Sequence, residues 1–177
     1  MMNYPVIGQV EIREHRVVKS IPWSETCFGC NEALPGGLGV RAYITEDGYV
    51  VGLCAPRPEH TGFPGVTHGG ILSTYFDEVL WHATRVQDPN TVAMTVEMNV
   101  HYMKPVYPGQ QLRVVGLPAK IEGRHIYVDG YILLPNDQVA CTARCHYVIV
   151  RAENGLNGEE RDRIKHGQTA AIQSLVF

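Results

Sequence analysis

His68-Gly69-Gly70 is followed, nine residues after the histidine, by Asp77. These residue types can act together on a carbonyl. Backbone N–H groups at the start of a helix are free of intrahelical partners and carry partial positive charge. A glycine there lets a carbonyl oxygen come close. Gly69 is therefore the candidate donor to a developing oxyanion, and Gly70 the second glycine of the turn, next to bound substrate. Asp77 is the candidate nucleophile or general base, because a carboxylate on a mostly apolar helix is costly without a partner or a task. His68 can bond near the carbonyl or hold the loop. Glu78 is the local rival of Asp77, and it is read as facing solvent. His82 is read as a packed helix histidine.

Cys27-Phe28-Gly29-Cys30 has the spacing of half a zinc site or of a redox pair. A four-coordinate zinc site needs two further ligands. Cys141 and Cys145 are available, but on one strand they stand about 13 Å apart at roughly 3.3 Å per residue. The redox motif expects a βαβ setting, which is missing. The pair is read as structural packing, and no metal ligands are assigned.

The helix carrying Asp77 is expected over about 69–85. Ile71, Leu72, Tyr75, Phe76, Val79, Leu80 and Ala83 recur at helical spacing and define a broad buried face. Thr67 is its expected N-cap. Upstream, 38–44 and 49–54 flank Thr45-Glu46-Asp47-Gly48, a hairpin signal. Prolines and glycines make 55–67 a loop. Downstream the period changes to two. Val92, Met94, Val96, Met98, Val100 and Tyr102 alternate with polar residues, as in a half-buried strand whose Val and Met side chains are core. Three more strands, 112–121, 125–134 and 139–150, follow with short joins, an antiparallel meander. Two strands, one long helix and four strands make an α+β layout with the helix on one sheet face. The core domain is 21–151. Residues 1–20 are read as an extension or edge strand, and 152–177 as a polar tail with a short helix at 159–165.

The chain has 177 residues, 45% of them hydrophobic, and a net charge of −3. That suits one packed domain and argues against a nucleic-acid partner, which would need a basic stripe. No apolar run reaches the length of a membrane span. The first 20 residues lack an apolar leader core, and five cysteines are read as reduced thiols in a cytoplasmic protein.

Several of these segments together resemble a known family. They are Cys27-Phe28-Gly29-Cys30, Gly37-Leu38, Pro64 through Gly70, Asp77, and Thr95-Val96-Glu97-Met98-Asn99 with Tyr102 and Pro105. Across roughly 25–150 the chain resembles hotdog-fold thioesterases of the phenylacetate-degradation type. The resemblance implies a hotdog fold, one long helix wrapped by an antiparallel sheet of five to six strands, paired through a continuous sheet as a homodimer or a dimer of dimers. It implies hydrolysis of an acyl-CoA thioester, with CoA as part of the substrate and no further cofactor. It gives Gly69 the carbonyl-polarising role and aligns Thr95 with a residue that orients the attacking water. The family's Asn or Gln before His-Gly-Gly is absent here, and His60 or Thr61 stands in its place. Lys104 and Arg124, with Arg113 and Arg151, are candidates for the CoA phosphates. Tyr75, Phe76, Trp81 and Phe63 are candidates for lining an acyl pocket. A non-catalytic acyl-CoA-binding protein and an enoyl-CoA hydratase or dehydratase are the alternative readings.

Gly69 and Asp77 are eight residues apart, about 12 Å along a helix axis. One thioester carbonyl cannot contact both, since productive contacts are about 3 Å. Each site is expected to take Gly69 and His68 from one subunit and Asp77 and Thr95 from the other.

Overall fold

The helix α1 spans Gly69–Ala83 and buries Leu72, Tyr75, Phe76, Val79, Leu80 and Ala83. Ile71 packs at the margin of the same cluster. The broad apolar face is therefore the one its spacing defines. In the computed structural model, which describes residues 10–22, 24–150 and 172–177, this face lies on one large antiparallel sheet.

The strands in chain order are β1 (Glu14–Ser20), β2 (Arg41–Thr45), β3 (Val50–Cys54), β4 (Thr61–Phe63), β5 (Val66–Thr67), β6 (Ala93–Tyr102), β7 (Leu112–Gly116), β8 (Lys120–Glu122), β9 (His125–Leu133), β10 (Val139–Ile149) and β11 (Ser174–Val176). Nine of them form one sheet in the order β11-β1-β2-β3-β7-β9-β10-β6, with β8 added on β9. The class is the expected α+β hotdog layout, but the sheet has more strands than five or six.

Four departures have plain causes. Part of the 1–20 extension, β1, is a full member of the sheet, paired with β2. The 152–177 tail is not all tail. Ser174–Val176 pairs with β1, and Phe177 is buried, stacked on His15 at 3.8 Å between ring centroids. Its ring joins Val51, Val115, Tyr131 and Leu133 in a second apolar cluster on the far sheet face. The expected helix at 159–165 lies outside the described residues. The 55–67 loop holds a 3-10 turn, Pro58–His60, and the two-stranded hairpin β4–β5. Gly65, with φ of +77°, makes its turn, a backbone state glycine enters without strain. Finally, Pro118 follows the end of β7, so the expected strand 112–121 is two pieces, β7 and β8.

Glycines let the helix sit close. A Cβ on Gly52 of β3 would stand 2.3 Å from Val79 Cγ2. One on Gly130 of β9 would stand 2.6 Å from the Val115 carbonyl and 2.7 Å from Leu80 Cδ1. The helix and sheet thus interlock where their sequences are smallest and largest. Among the described residues no helix is long and apolar enough to cross a membrane.

The strand β6 differs from expectation. Its alternation is real, yet Met94, Val96 and Tyr102 are about half exposed. Among the described residues it pairs only with β10 and forms the edge of the sheet. A ten-residue edge strand with exposed Val and Met is a surface that sheet proteins ordinarily cover.

Candidate active site

Three polar contacts tie α1 to β6, and they run in opposite chain directions. At the helix start the Tyr102 hydroxyl donates to the Gly69 carbonyl at 3.1 Å and lies 2.6 Å from Ser73 Oγ. Midway, Thr95 Oγ1 donates to Asp77 Oδ1 at 2.9 Å. At the helix end, Trp81 Nε1 donates to the Ala93 carbonyl at 2.7 Å. The helix therefore lies antiparallel to the edge strand. Asp77 thus meets Thr95 in the first half of β6, and Gly69 meets Tyr102 at its end.

The helix start is built by His68. Its Nδ1 accepts the Gly70 N–H at 2.8 Å, making His68 the N-cap. Thr67, the expected cap, sits one residue too early, inside β5, and is buried. Gly70 is needed for the cap, since a Cβ there would stand 2.9 Å from His68 Nδ1. Gly62 leaves room for the ring, whose Cδ2 would lie 2.5 Å from a Cβ. Accepting at Nδ1 leaves Nε2 to carry the proton of the neutral ring. The His68 carbonyl accepts from the Ile71 and Leu72 N–H groups. The Gly69 N–H is thus the donor of this turn left without an acceptor among the described residues.

Asp77 is half-buried, and its described partner is Thr95. The Thr95 bond takes one lone-pair direction of Oδ1, which fixes the carboxylate plane and leaves Oδ2 for chemistry. Thr95 therefore meets the carboxylate itself, where the family resemblance gave it a water to orient. Tyr102 is the residue that sequence reasoning passed over as a site member. It stood in the quoted motif, and its reach to Gly69 is visible only in the fold.

Other candidates divide. Thr61 is exposed on β4, paired across the hairpin with Thr67 and so next to the helix start. His60 is buried, its Nδ1 accepting from the Arg57 N–H at 3.0 Å. Burial holds its pKa below the ordinary value. Lys104 and Arg124 are both exposed but stand apart. Lys104 follows the end of β6, whereas the Arg124 carbonyl binds the N–H of Ile149, which pairs with Ala93 at the start of β6. Arg113 is committed to Asp137 at 2.6 Å and to two carbonyls, so it is not a free phosphate ligand. Arg151 lies outside the described residues. Tyr75 and Phe76 are core, fully buried, and Phe63 is largely exposed.

Glu78 does not face solvent. It turns to the side of the helix away from Asp77's partner strand, with 17% of its side chain exposed. It accepts from Cys27 Sγ at 3.3 Å and pairs with His82 Nε2 at 3.5 Å. Burial raises its pKa, but hydrogen bonds from His82 and Cys27 outweigh that, and the net shift is downward.

Residues 64–141 match the model of the thioesterase superfamily, a segment that includes His68, Gly69, Gly70, Asp77, Thr95 and Tyr102. An uncharacterised protein of Schizosaccharomyces pombe is 27% identical over 81 residues, 46% of each chain. Among solved structures, the thioesterase superfamily protein RHA08564 is 27% identical with a TM-score of 0.57, covering 62% of this chain and 53% of that one. The E. coli PaaI protein from the phenylacetic acid degradation operon is 17% identical with a TM-score of 0.60, covering 68% and 86%. The match thus spans about half the length of the first two relatives. Over the matched segment the chain is similar to the thioesterase superfamily, and its one-helix, antiparallel-sheet architecture is the hotdog fold of these solved structures.

Proposed function

We propose that the chain is an acyl-CoA thioesterase, converting an acyl-CoA and water to the free acid and CoA. The observation that carries the reading is the Thr95–Asp77 hydrogen bond at 2.9 Å, on the helix whose first residue offers an uncommitted N–H. Asp77 Oδ2 attacks the thioester carbonyl or takes a proton from the attacking water. The Gly69 N–H donates a hydrogen bond to the carbonyl oxygen as negative charge grows on it. The C–S bond breaks and the CoA thiolate takes up the proton that Asp77 drew from the water; on the nucleophilic route it takes one from solvent, and water then hydrolyses the acyl–Asp77 anhydride to the free acid.

The two groups act on one carbonyl only if they come from different subunits. The edge strand β6 supports that arrangement. If two copies pair antiparallel about the middle of β6, near Met98, the Thr95 end of one strand lies against the Tyr102 end of the other. Asp77 of one subunit then faces Gly69 of its partner, and the pairing covers the exposed Met94 and Val96. The same operation carries Arg124 of one subunit toward Thr61 and Lys104 of the other. These three then serve the pantetheine and phosphates of CoA. The minimal active unit is a homodimer, and a dimer of dimers retains the same sites. Free thiols throughout the described residues suit a reducing cytoplasm.

The test is hydrolysis of a panel of aliphatic and aromatic acyl-CoAs, followed by thiol release, for the wild type and Asp77→Asn. Turnover of at least one acyl-CoA that is abolished in the variant is expected. No turnover of any, or full turnover in the variant, overturns the reading. Binding of intact acyl-CoA without turnover would mark a binding protein instead. Hydration of an enoyl-CoA would mark a hydratase, although His68 spends Nδ1 on the helix cap.

A further inference from the structure

Cys27 and Cys30 lie in a turn folded against the second side of α1, and nothing in the thioesterase reading uses them. The turn is ordered by its own backbone: the Asn31 N–H binds the Cys27 carbonyl, and the Val40 N–H binds the Gly29 carbonyl. Asn31 Nδ2 reaches the Glu25 carbonyl at 2.6 Å, and Arg41 reaches the Cys30 carbonyl at 2.8 Å. Two amides point at the sulfurs. The Cys30 N–H donates to Cys27 Sγ at 3.4 Å, and the Ser24 N–H donates to Cys30 Sγ at 3.3 Å. Amide donors on sulfur stabilise thiolate charge.

The helix brings a carboxylate to the same point. Cys27 Sγ, Cys30 Sγ and a Glu78 oxygen all lie within 4.8 Å of one another. The approach depends on Gly29, where a Cβ would stand 2.4 Å from Glu78 Oε2. Glu78's ion-pair partner among the described residues is His82, one turn further along the helix and 11% exposed. Two thiols and a carboxylate thus converge, and the His82 imidazole holds the other oxygen of that carboxylate. Three such donors fill three of the four positions of a tetrahedral zinc ion. Zinc–sulfur and zinc–oxygen bonds of about 2.3 and 2.0 Å put a sulfur and an oxygen about 3.5 Å apart in a tetrahedron. Cys27 Sγ and Glu78 Oε2 are 3.3 Å apart. Sequence reasoning lacked two ligands because it looked to Cys141 and Cys145, which are buried in β10.

We propose that Cys27, Cys30 and Glu78, the last held by His82, form a binding site for one thiophilic divalent cation of the zinc type, clamping the 24–37 turn to the helix α1. Binding forms two metal–thiolate bonds and releases the two thiol protons to solvent. Three positions come from the protein and the fourth from a solvent molecule, while His82 orients the Glu78 carboxylate. The clamp holds the helix one residue from Asp77 but on its other side. The proposal stands independently of the activity of the chain.

The test uses the full chain, reduced and stripped with a chelator, then titrated with zinc or cobalt(II). About one equivalent of zinc per chain is expected. Cobalt should give a thiolate charge-transfer band and the visible bands of a tetrahedral ion. Cys27→Ser/Cys30→Ser should lose the charge-transfer band. Glu78→Gln should weaken binding by at least about tenfold, and Asp77→Asn should bind as the wild type does. That last variant separates this proposal from the catalytic one, since it should abolish turnover while leaving the metal. If the double serine variant fails to fold by circular dichroism, the wild-type cobalt spectrum and Glu78→Gln still decide. A folded, reduced wild type with two titratable thiols here and no cobalt charge-transfer band overturns the proposal. So does unchanged zinc affinity in a folded double serine variant. A Cys27–Cys30 disulfide that persists under reducing conditions and excludes metal overturns it too, and would make the pair a redox couple.

Discussion

Asp77 and Thr95 make the sharpest pair of expectations. Asp77→Asn keeps the shape and removes the base or nucleophile, so kcat should fall at least about 100-fold with little change in folding. Thr95→Val removes only the hydroxyl that holds Oδ1. It should lower kcat less, about tenfold, a difference that steady-state assays of both variants will resolve. A different histidine carries a pH expectation. His60 is buried, and burial, with Arg57 nearby, keeps its folded pKa below the ordinary 6.5. Below about pH 6.5 the unfolded chain takes up a proton that the folded one resists, so stability should fall as the pH drops. Denaturant unfolding at pH 7.5 and 5.5 should show that loss in the wild type, and a smaller one in His60→Gln. At this scale the glycines and Asp77 were legible, because their chemistry is local. The cap was not. Threonine outranks histidine as an N-cap, and only the two-residue strand β5 explains why Thr67 is engaged elsewhere. Glu78 was misplaced for a related reason: besides His82 on its own helix, its partner is in a loop some fifty residues away.

The helix and the strands beneath it depend on contacts that leave no space for a methyl group. Gly130→Ala would bring a Cβ against a backbone carbonyl that cannot swing aside. We expect a loss of about 1–3 kcal/mol in unfolding free energy, readable by denaturant titration. The periodicities of α1 and β6 were plain in the sequence, as was the Asp47-Gly48 turn, where Gly48 has φ of +85°. Burial of β6 was not, since alternation reports which residues share a face and not what covers that face. Met94 and Val96 read as core and are half exposed in the single chain. The hairpin β4–β5 was hidden because strands of two and three residues carry too little pattern to register.

At the scale of the molecule, the composite site makes a complementation experiment decisive. Gly69→Pro removes the one N–H of interest, and proline is tolerated at the first helical position. Neither it nor Asp77→Asn should be active alone. Mixed in equal amounts and reassembled, half the dimers carry both variants, each with one of two sites intact. About a quarter of wild-type activity should return. No recovery, with mixed dimers demonstrated, would mean each chain carries a whole site. The α+β class and the one-helix plan were readable from element order, whereas the far edge of the sheet was not. Its last strand is three residues long and meets its partner from the opposite end of the chain.

That far edge has a consequence for how copies can accumulate. A sheet with two long bare margins can add neighbours at both, and such a protein polymerises. Here β11 lies along β1 and is too short to template another strand for any distance. One long margin remains, β6. A protein with a single sticky side runs out of it after the first encounter, so association through the backbone ends at two. Among the described residues, the small strand Ser174–Val176 thereby covers the β1 margin that would otherwise be open. Deleting residues 174–177 should show up first as thioflavin-positive aggregates on storage, before any loss of turnover.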